Sequence, residues 1–386
     1  MNTIRVLLSV AACRVWPLHQ FDVTNVFFHV ELKKEEEVYM EAPPGFAADF
    51  KIGEGCRLRK TLYGLKQSPR VWFRKLVGAM ISYGYKQSNS DHTLFLKNKG
   101  GKITCLIIYV DDMIITGDDL EEIESLKRNL FQEFEMKDLG DLKYFLGIEV
   151  LRSQRGIFFR QRKYILDILA ETGLLECKPA DTPIAVNHGL QNNDKAELTD
   201  RSRYQRLVGK LIYLSHTRPD IDYAVGIVSQ FMHRPQTYHM EAVLRICRYL
   251  KGTTGHGVLF SKSDNLDIHG YTDADWAGNP NDRRSTVGYF IFVGGNLVTW
   301  RSKKQKVVAL SSAEAEFCGI KSGLTEIMWL RRLMKELSLA PSRKCRLYCD
   351  NKAAISISEN PVQHDRTKHV EVDRHFIKEN IERGIV

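Results

Sequence analysis

The stretch ITCLIIYVDDMIIT, residues 103–116, decides how this chain is read. On both sides of Asp111-Asp112 run the β-branched and aromatic residues that fill strands buried on both faces. Two adjacent carboxylates inside such a run are costly, because a buried charge needs a partner. A hairpin relieves that cost: its strands stay buried while its tip carries the acids into a cleft. The plainer alternative is an ordinary turn, since Asp-Asp is a common turn pair.

A second strand signal, QFDVTNVFFHV at 20–30, sets Asp22 in the same kind of surroundings, with Phe27 following after four residues. Three carboxylates on neighbouring strands can hold two divalent metals about 3.5–4 Å apart, activating a 3′-hydroxyl and stabilising a leaving pyrophosphate. Mg²⁺ suits such all-oxygen ligands and substrate phosphates.

Further along, the pattern changes twice. Residues 181–198 are polar and broken by Pro and Gly, as in a linker, and 201–252 carry helical periodicity. Near 263 strands return, at 266–274, 287–293 and 296–302. A helix from about 312 to 338 follows, then the strand RLYCD and the helix NKAAISISEN. That order predicts a mixed α/β domain. It places Asp273 at a strand end, Glu314 and Glu316 in the first turns of a helix, and Asp350 at another strand end. Acids so placed can converge on a second two-metal site suited to phosphodiester hydrolysis. For one of Glu314 and Glu316 the alternative is a charge that complements the helix dipole.

Composition sets the outer limits. The 386 residues are 43% hydrophobic and 27% charged, ordinary for a folded protein and unlike a disordered one. The formal charge of +9 permits a nucleic-acid partner without requiring one. The segment CRLRKTLYGLKQSPRVWFRKL (56–76) concentrates seven basic residues with no acid, interleaved with Tyr63, Trp72 and Phe73. Cations for phosphates and aromatics for stacking fit a nucleic-acid track, with a solvated helix face as the alternative. Arg301, Lys303, Lys304 and Lys306 form a second basic run. Eight scattered cysteines lack zinc-type spacing and read as reduced thiols, mostly in the core. The opening MNTIRVLLSVAAC is expected to be an amphipathic helix packed beneath the strand of Asp22 rather than a signal peptide. No apolar run is long enough to span a bilayer, and the expected location is intracellular: cytoplasmic, in a virus-like particle, or nuclear.

The ordered motifs QFDV, LYGLKQSPRVW, YVDD and YFLGIEV resemble the reverse transcriptase of copia-type LTR retrotransposons. YTDADWAG, STVGYFIFVGG, TWRSKKQ, ALSSAEAEF, LYCDNKAAI and RTKHVEVDRHFIKE resemble the ribonuclease H of the same Pol polyproteins. The resemblance covers nearly the whole chain. It implies an α+β, mixed α/β protein with a reverse transcriptase palm-type hairpin sheet and partial fingers at 1–150. The start of a thumb and a linker would follow at 151–190, a helical thumb or connection at 191–262, and a ribonuclease H-like mixed-sheet domain at 263–386.

The resemblance also assigns roles. Asp22, Asp111 and Asp112 would be catalytic metal ligands, as would Asp273, Glu316 and Asp350, with Glu316 preferred because it precedes Phe317. Phe27 would be a steric gate under the incoming sugar, while Gly64, Ser68 and Pro69 would line the template and nucleotide pocket. Leu146 and Gly147 would form the turn that grips the primer. Mg²⁺, or Mn²⁺, is the implied cofactor. The implied partners are an RNA template, a DNA primer, RNA/DNA hybrid and deoxynucleoside triphosphates. Against the family pattern the chain is expected to be cut short at both ends, without the fingers cations that hold the triphosphate and without a fourth ribonuclease H carboxylate. Glu371 and Asp373 fall in the preceding helix and are poor substitutes. The expected function is RNA-directed DNA polymerase with ribonuclease H activity; the alternative is a catalytically weak or dead remnant that binds nucleic acid.

Overall fold

A computed structural model describes residues 1–32, 37–43, 45–46, 55–341, 343–359 and 371–386, with the backbone alone at 371–374. The charge run KKEEE (33–37) and the start of RTKHVEV (366–372) therefore fall largely outside the described residues, as do the side chains of Glu371 and Asp373. The chain divides into two compact units, Trp16–Leu142 and Met1–Val15 with Lys143–Val386. The boundary thus falls at 142/143, ahead of residue 150, and the helical segment and the region after 263 belong to one unit.

In chain order, α1 (Asn2–Arg14) comes first and is closed by Val15 in the left-handed conformation. The Trp16–Leu142 unit then holds β1 (Leu18–Val23), β2 (Tyr39–Met40), β3 (Cys56–Arg57), α2 (Ser68–Ser82), β4 (Lys86–Gln87), β5 (Leu94–Lys99), β6 (Lys102–Tyr109), β7 (Asp112–Gly117), α3 (Leu120–Glu133) and β8 (Met136–Asp141). Six of these strands form an antiparallel sheet in the order β4-β5-β6-β7-β1-β8, so β1 is inserted between β7 and β8. Helices α2 and α3 cover one face. Trp72, Leu76 and Met80 from α2, with Ile123, Leu126 and Leu130 from α3, pack against Phe21, Phe95, Leu106, Ile108 and Met113. The i, i+3, i+7 spacing of the α3 residues makes that apolar stripe. Asp119 caps α3 by accepting from the Glu122 N–H at 3.2 Å.

The other unit continues with β9 (Tyr144–Phe145), β10 (Ile148–Ser153), β11 (Gly156–Arg160), α4 (Arg162–Thr172), α5 (Arg201–Leu214), α6 (Asp222–Ser229), α7 (Thr237–Gly252) and β12 (Gly257–Ser261). After these come β13 (Ile268–Ala274), β14 (Thr286–Val293), β15 (Asn296–Lys304), α8 (Ser312–Glu336), β16 (Arg346–Tyr348), α9 (Lys352–Glu359) and α10 (Glu371–Glu382). One sheet runs β12-β11-β10-β9; the other runs β15-β14-β13-β16, with β16 parallel to β13 and the remaining pairs antiparallel. Helices α4 to α7 share one core built on residues such as Leu169, Tyr204, Leu211 and Ile246. Arg218, 1% exposed, is bidentate to Asp220 and also donates to Thr253, which fastens the corner before α6. The polar segment 181–198 has no helix or strand of its own, yet it is tied to α7: Arg245 donates to Thr182 and the Asn193 N–H to Gln236.

The position of α1 corrects the sequence expectation. Residues 3–12 are buried, and the strands the helix packs on are β11, β12 and β15 of its own unit. The Arg5 guanidinium lies 3.7 Å from the centroid of the Trp300 ring, Ser9 donates to the Val293 carbonyl at 3.1 Å, and Asn2 donates to Glu326. These partners are 284 to 324 residues distant, so local periodicity carries no trace of them.

Helix α8 lies close on β13 because Gly319 and Gly323 face the sheet. A Cβ at 323 would stand 2.6 Å from Thr272 Cγ2 and 3.0 Å from Leu347 Cδ1. Gly323→Ala is expected to destabilise the protein by about 1–3 kcal/mol through overpacking. Gly209→Ala on α5, with nothing within 4 Å, is expected to be neutral or stabilising. Urea unfolding of both variants checks this; equal midpoints would contradict it.

Candidate active sites

Strands β6 and β7 form a tight hairpin, Tyr109 pairing with Asp112 across the two-residue turn Val110-Asp111. Antiparallel pairing sets Asp22 of β1 directly opposite Asp112. Directly opposed residues share a face of the sheet, with Cβ atoms about 4.5–5.5 Å apart. The backbone carbonyl of Asp111 accepts from the Val23 N–H at 3.0 Å, so the tip is also fastened to β1. Asp22, Asp111 and Asp112 therefore meet at one end of the sheet. A bulge between Gln20 and Phe21 lies next to them.

The site is electrostatically loaded. Burial, then the charges of Asp111 and Asp22, push the Asp112 carboxyl above its ordinary range, and the opposing contact is the neutral Gln20 amide, 3.5 Å away. The turn is sterically loaded as well. Val110 has φ 61°, a left-handed conformation that is a true outlier for a β-branched residue. Its carbonyl accepts from the Trp72 indole N–H at 2.9 Å.

Residues expected around the nucleotide take distinct places. Phe27 is 4% exposed and packs edge-on against Tyr63, centroids 4.5 Å apart, so Tyr63 is the exposed ring. The Tyr63 hydroxyl lies 3.5 Å from Asp111 Oδ2. Gly64 adopts φ 90°, as only glycine does readily. Ser68 is buried, its hydroxyl donating to the Leu62 carbonyl at 2.7 Å, and Pro69 starts α2. These three residues shape the loop that presents Tyr63. The basic track is corrected in part. Trp72 is 2% exposed and Phe73 packs against the same core, so neither ring is open for stacking. Lys75 donates to the His29 carbonyl, whereas Arg70 and Arg74 are exposed.

Leu146 and Gly147 belong to the other compact unit. They form the two-residue loop between β9 and β10, with φ 49° and 73°, a turn of the I′ kind. The Leu146 carbonyl accepts from the Tyr213 hydroxyl of α5.

The second acidic site lies within that unit. Asp273 is exposed near the end of β13, and Asp350 follows β16, which runs parallel beside it. Glu316, 5% exposed on α8, accepts from the Ala274 N–H at 3.0 Å. Burial, then Asp273 and Asp350, raise the Glu316 carboxyl, opposed by that neutral N–H. Glu314 does something else: the Ser311 hydroxyl accepts from the Glu314 N–H, and the Glu314 carboxylate accepts from the Leu310 N–H, which is helix capping. Sequence reasoning missed Cys349. It is half-buried, its Sγ lies 3.6 Å from Glu316 Oε2, and donor atoms of Glu316, Cys349 and Asp350 lie within 4.8 Å of one another. Its only sequence signal was adjacency to Asp350. A cleft of about 360 Å³ beside Asp273 is lined by Tyr223, Tyr271, Phe290 and Arg301. Of the second basic run, Lys304 pairs with Asp282 at 2.9 Å.

Residues 1–186 match the family model described as reverse transcriptase (RNA-dependent DNA polymerase). Over 383 residues, 99% of this chain, it is 44% identical to the retrovirus-related Pol polyprotein from transposon RE1 of Arabidopsis thaliana, covering 26% of that protein. It is 40% identical to the corresponding polyprotein from transposon TNT 1-94 of Nicotiana tabacum, covering 99% of this chain and 29% of that one. An uncharacterized mitochondrial protein of Arabidopsis thaliana is 40% identical over 58% of this chain and 93% of its own length. The chain thus spans about a quarter of the polyproteins it matches.

The raised carboxyls make a stability prediction. In the folded state the ionised forms of Asp112 and Glu316 are disfavoured, so their destabilising effect is absent below the ordinary carboxylate range and grows as pH rises through the folded-state values. Asp112→Asn and Glu316→Gln are expected to raise the melting temperature of the metal-free protein at pH 7, the gain shrinking towards pH 4. Thermal melts across that range check the sign; a lower melting temperature at pH 7 would refute it.

Proposed function

Because this chain belongs to the copia-type LTR retrotransposon Pol family, we propose that it copies RNA into DNA and then cleaves the RNA strand of the resulting hybrid. The observation that carries this reading is the register that sets Asp22 opposite Asp112 at the tip holding Asp111. Like charges gathered there are opposed by a neutral amide, a donor set that fits a hard divalent cation. Asp22, Asp111 and Asp112 would hold Mg²⁺, or Mn²⁺, for polymerisation; Asp273, Glu316 and Asp350 would hold it for hydrolysis. Bound at such sites, the cation supplies Lewis-acid activation of the attacking oxygen and charge stabilisation of the leaving one.

The protein's own groups do the positioning. The edge-on pair Phe27 and Tyr63 gives the pocket a rigid aromatic wall beside Asp111, suited to excluding a ribose 2′-hydroxyl. Exposed Arg70 and Arg74 attract the template and primer backbones. The Leu146-Gly147 turn, held by Tyr213, is suited to a primer strand. In the second site Glu316, fixed by the Ala274 N–H, sets the donor geometry, and Arg301 lies in the adjoining cleft to meet the hybrid backbone. An A-form duplex is recognised by its backbone and 2′-hydroxyls, so no sequence preference is expected. Among the described residues no helix is long and apolar enough to cross a membrane.

Mg²⁺-dependent primer extension on an RNA template tests the first activity. Asp111→Asn and Asp112→Asn are each expected to lower extension at least about 100-fold, the loss of several kcal/mol of charge stabilisation. Asp273→Asn and Asp350→Asn are expected to spare extension and abolish cleavage of labelled hybrid. Folded protein that binds hybrid but yields no extended product would refute the polymerase reading; cleavage surviving Asp273→Asn would refute the hydrolytic one.

A further inference from the structure

The hairpin tip that carries Asp111 is held in an unfavourable backbone conformation, and one buried side chain holds it. Val110, at φ 61°, is a β-branched residue where glycine is the natural occupant. Such a residue persists only when its surroundings over-determine it. Three contacts do so: β1 pairs with β7 and receives the Asp111 carbonyl, Tyr63 reaches the Asp111 carboxylate, and the Trp72 indole N–H donates to the Val110 carbonyl at 2.9 Å. The indole contact acts on the Val110–Asp111 peptide itself, whose orientation sets where the Asp111 carboxylate points. Trp72 is 2% exposed, with its ring against Phe134 at 5.1 Å and His29 at 6.1 Å, so the donor sits on a fixed base in the core.

We infer that Trp72 is a positioning residue for the polymerase site: its indole N–H holds the strained Val110–Asp111 peptide and so fixes the Asp111 carboxylate for metal binding. This rests on the polymerase reading for its purpose, but the metal-binding claim is testable without turnover. The competing account is that the indole N–H, being buried, merely needs a partner and the Val110 carbonyl is the nearest. The two differ in what they predict for metal affinity and for coupling to the strain at position 110.

The test uses the full chain carrying Asp273→Asn and Asp350→Asn, so that bound Mn²⁺ reports the Trp16–Leu142 unit. Mn²⁺ affinity is read by electron paramagnetic resonance with primer–template present, for the parent, Trp72→Phe, Val110→Gly and the double variant. Trp72→Phe is expected to weaken Mn²⁺ binding about fivefold to tenfold, the worth of one buried hydrogen bond. In the Val110→Gly background, where φ is adopted without strain, the same change is expected to cost less than about twofold. Unchanged affinity in Trp72→Phe overturns the inference, and equal loss in both backgrounds overturns the strain-holding role. Should Trp72→Phe fail to fold, the benzothienyl isostere at position 72, which keeps the shape and removes the N–H, gives the same readout. Absence of primer extension by the unmodified chain would sink the polymerase reading while leaving the Mn²⁺ result to decide the role of Trp72.

Discussion

Repulsion among carboxylates confined at the end of a buried sheet is the constraint around which the Trp16–Leu142 unit is arranged. Asp22 and Asp112 face one another across a strand pair, and Asp111 adjoins them in the turn. Left alone, such charges would spread the strands apart. The sheet resists through β6 and β7, almost wholly buried, and through α2 and α3 clamped on one face. The hydrophobic core is thus what keeps like charges together, and a bound cation would relieve what the core restrains.

The second acidic site reaches a similar result by other means. Its three acids come from a strand, a helix and a loop end, and the approach of α8 to the sheet at Gly319 and Gly323 brings Glu316 within reach of Asp273 and Asp350. A helix rather than a hairpin turn sets the geometry there. Cys349 adds a soft sulfur donor beside hard oxygens.

Much of this was legible in the chain itself. The hairpin at 103–116, the strands from 266 to 302 and the helix beginning near 312 follow from local periodicity, and the structure has them close to where the pattern sets them. The sequence left one of Glu314 and Glu316 as a charge complementing the helix dipole; in the structure Glu314 accepts from the Leu310 N–H at the helix start and Glu316 from the Ala274 N–H. What was not legible depends on distant partners. Nothing near Trp72 indicates that its ring turns inward to the carbonyl of residue 110, and a track of alternating bases and aromatics reads equally well as a binding surface. Nor does an apolar N-terminal helix announce which sheet it joins. Backbone conformation at Val110 and Leu146 is likewise invisible, because propensity argues against both.

The placement of α1 also bears on how the protein is made. Ser9 is bonded to Asn296, 287 positions later, and Arg5 waits for Trp300. At about 5–20 residues per second, a ribosome needs roughly 15–60 s to synthesise the intervening chain. Throughout that interval α1 lacks its final seat on β15, while the Trp16–Leu142 unit can already fold. Contacts of such long sequence separation form slowly. The nascent chain therefore carries α1 with part of its buried face uncovered until β15 is made, and that interval is when the helix has most need of chaperone cover.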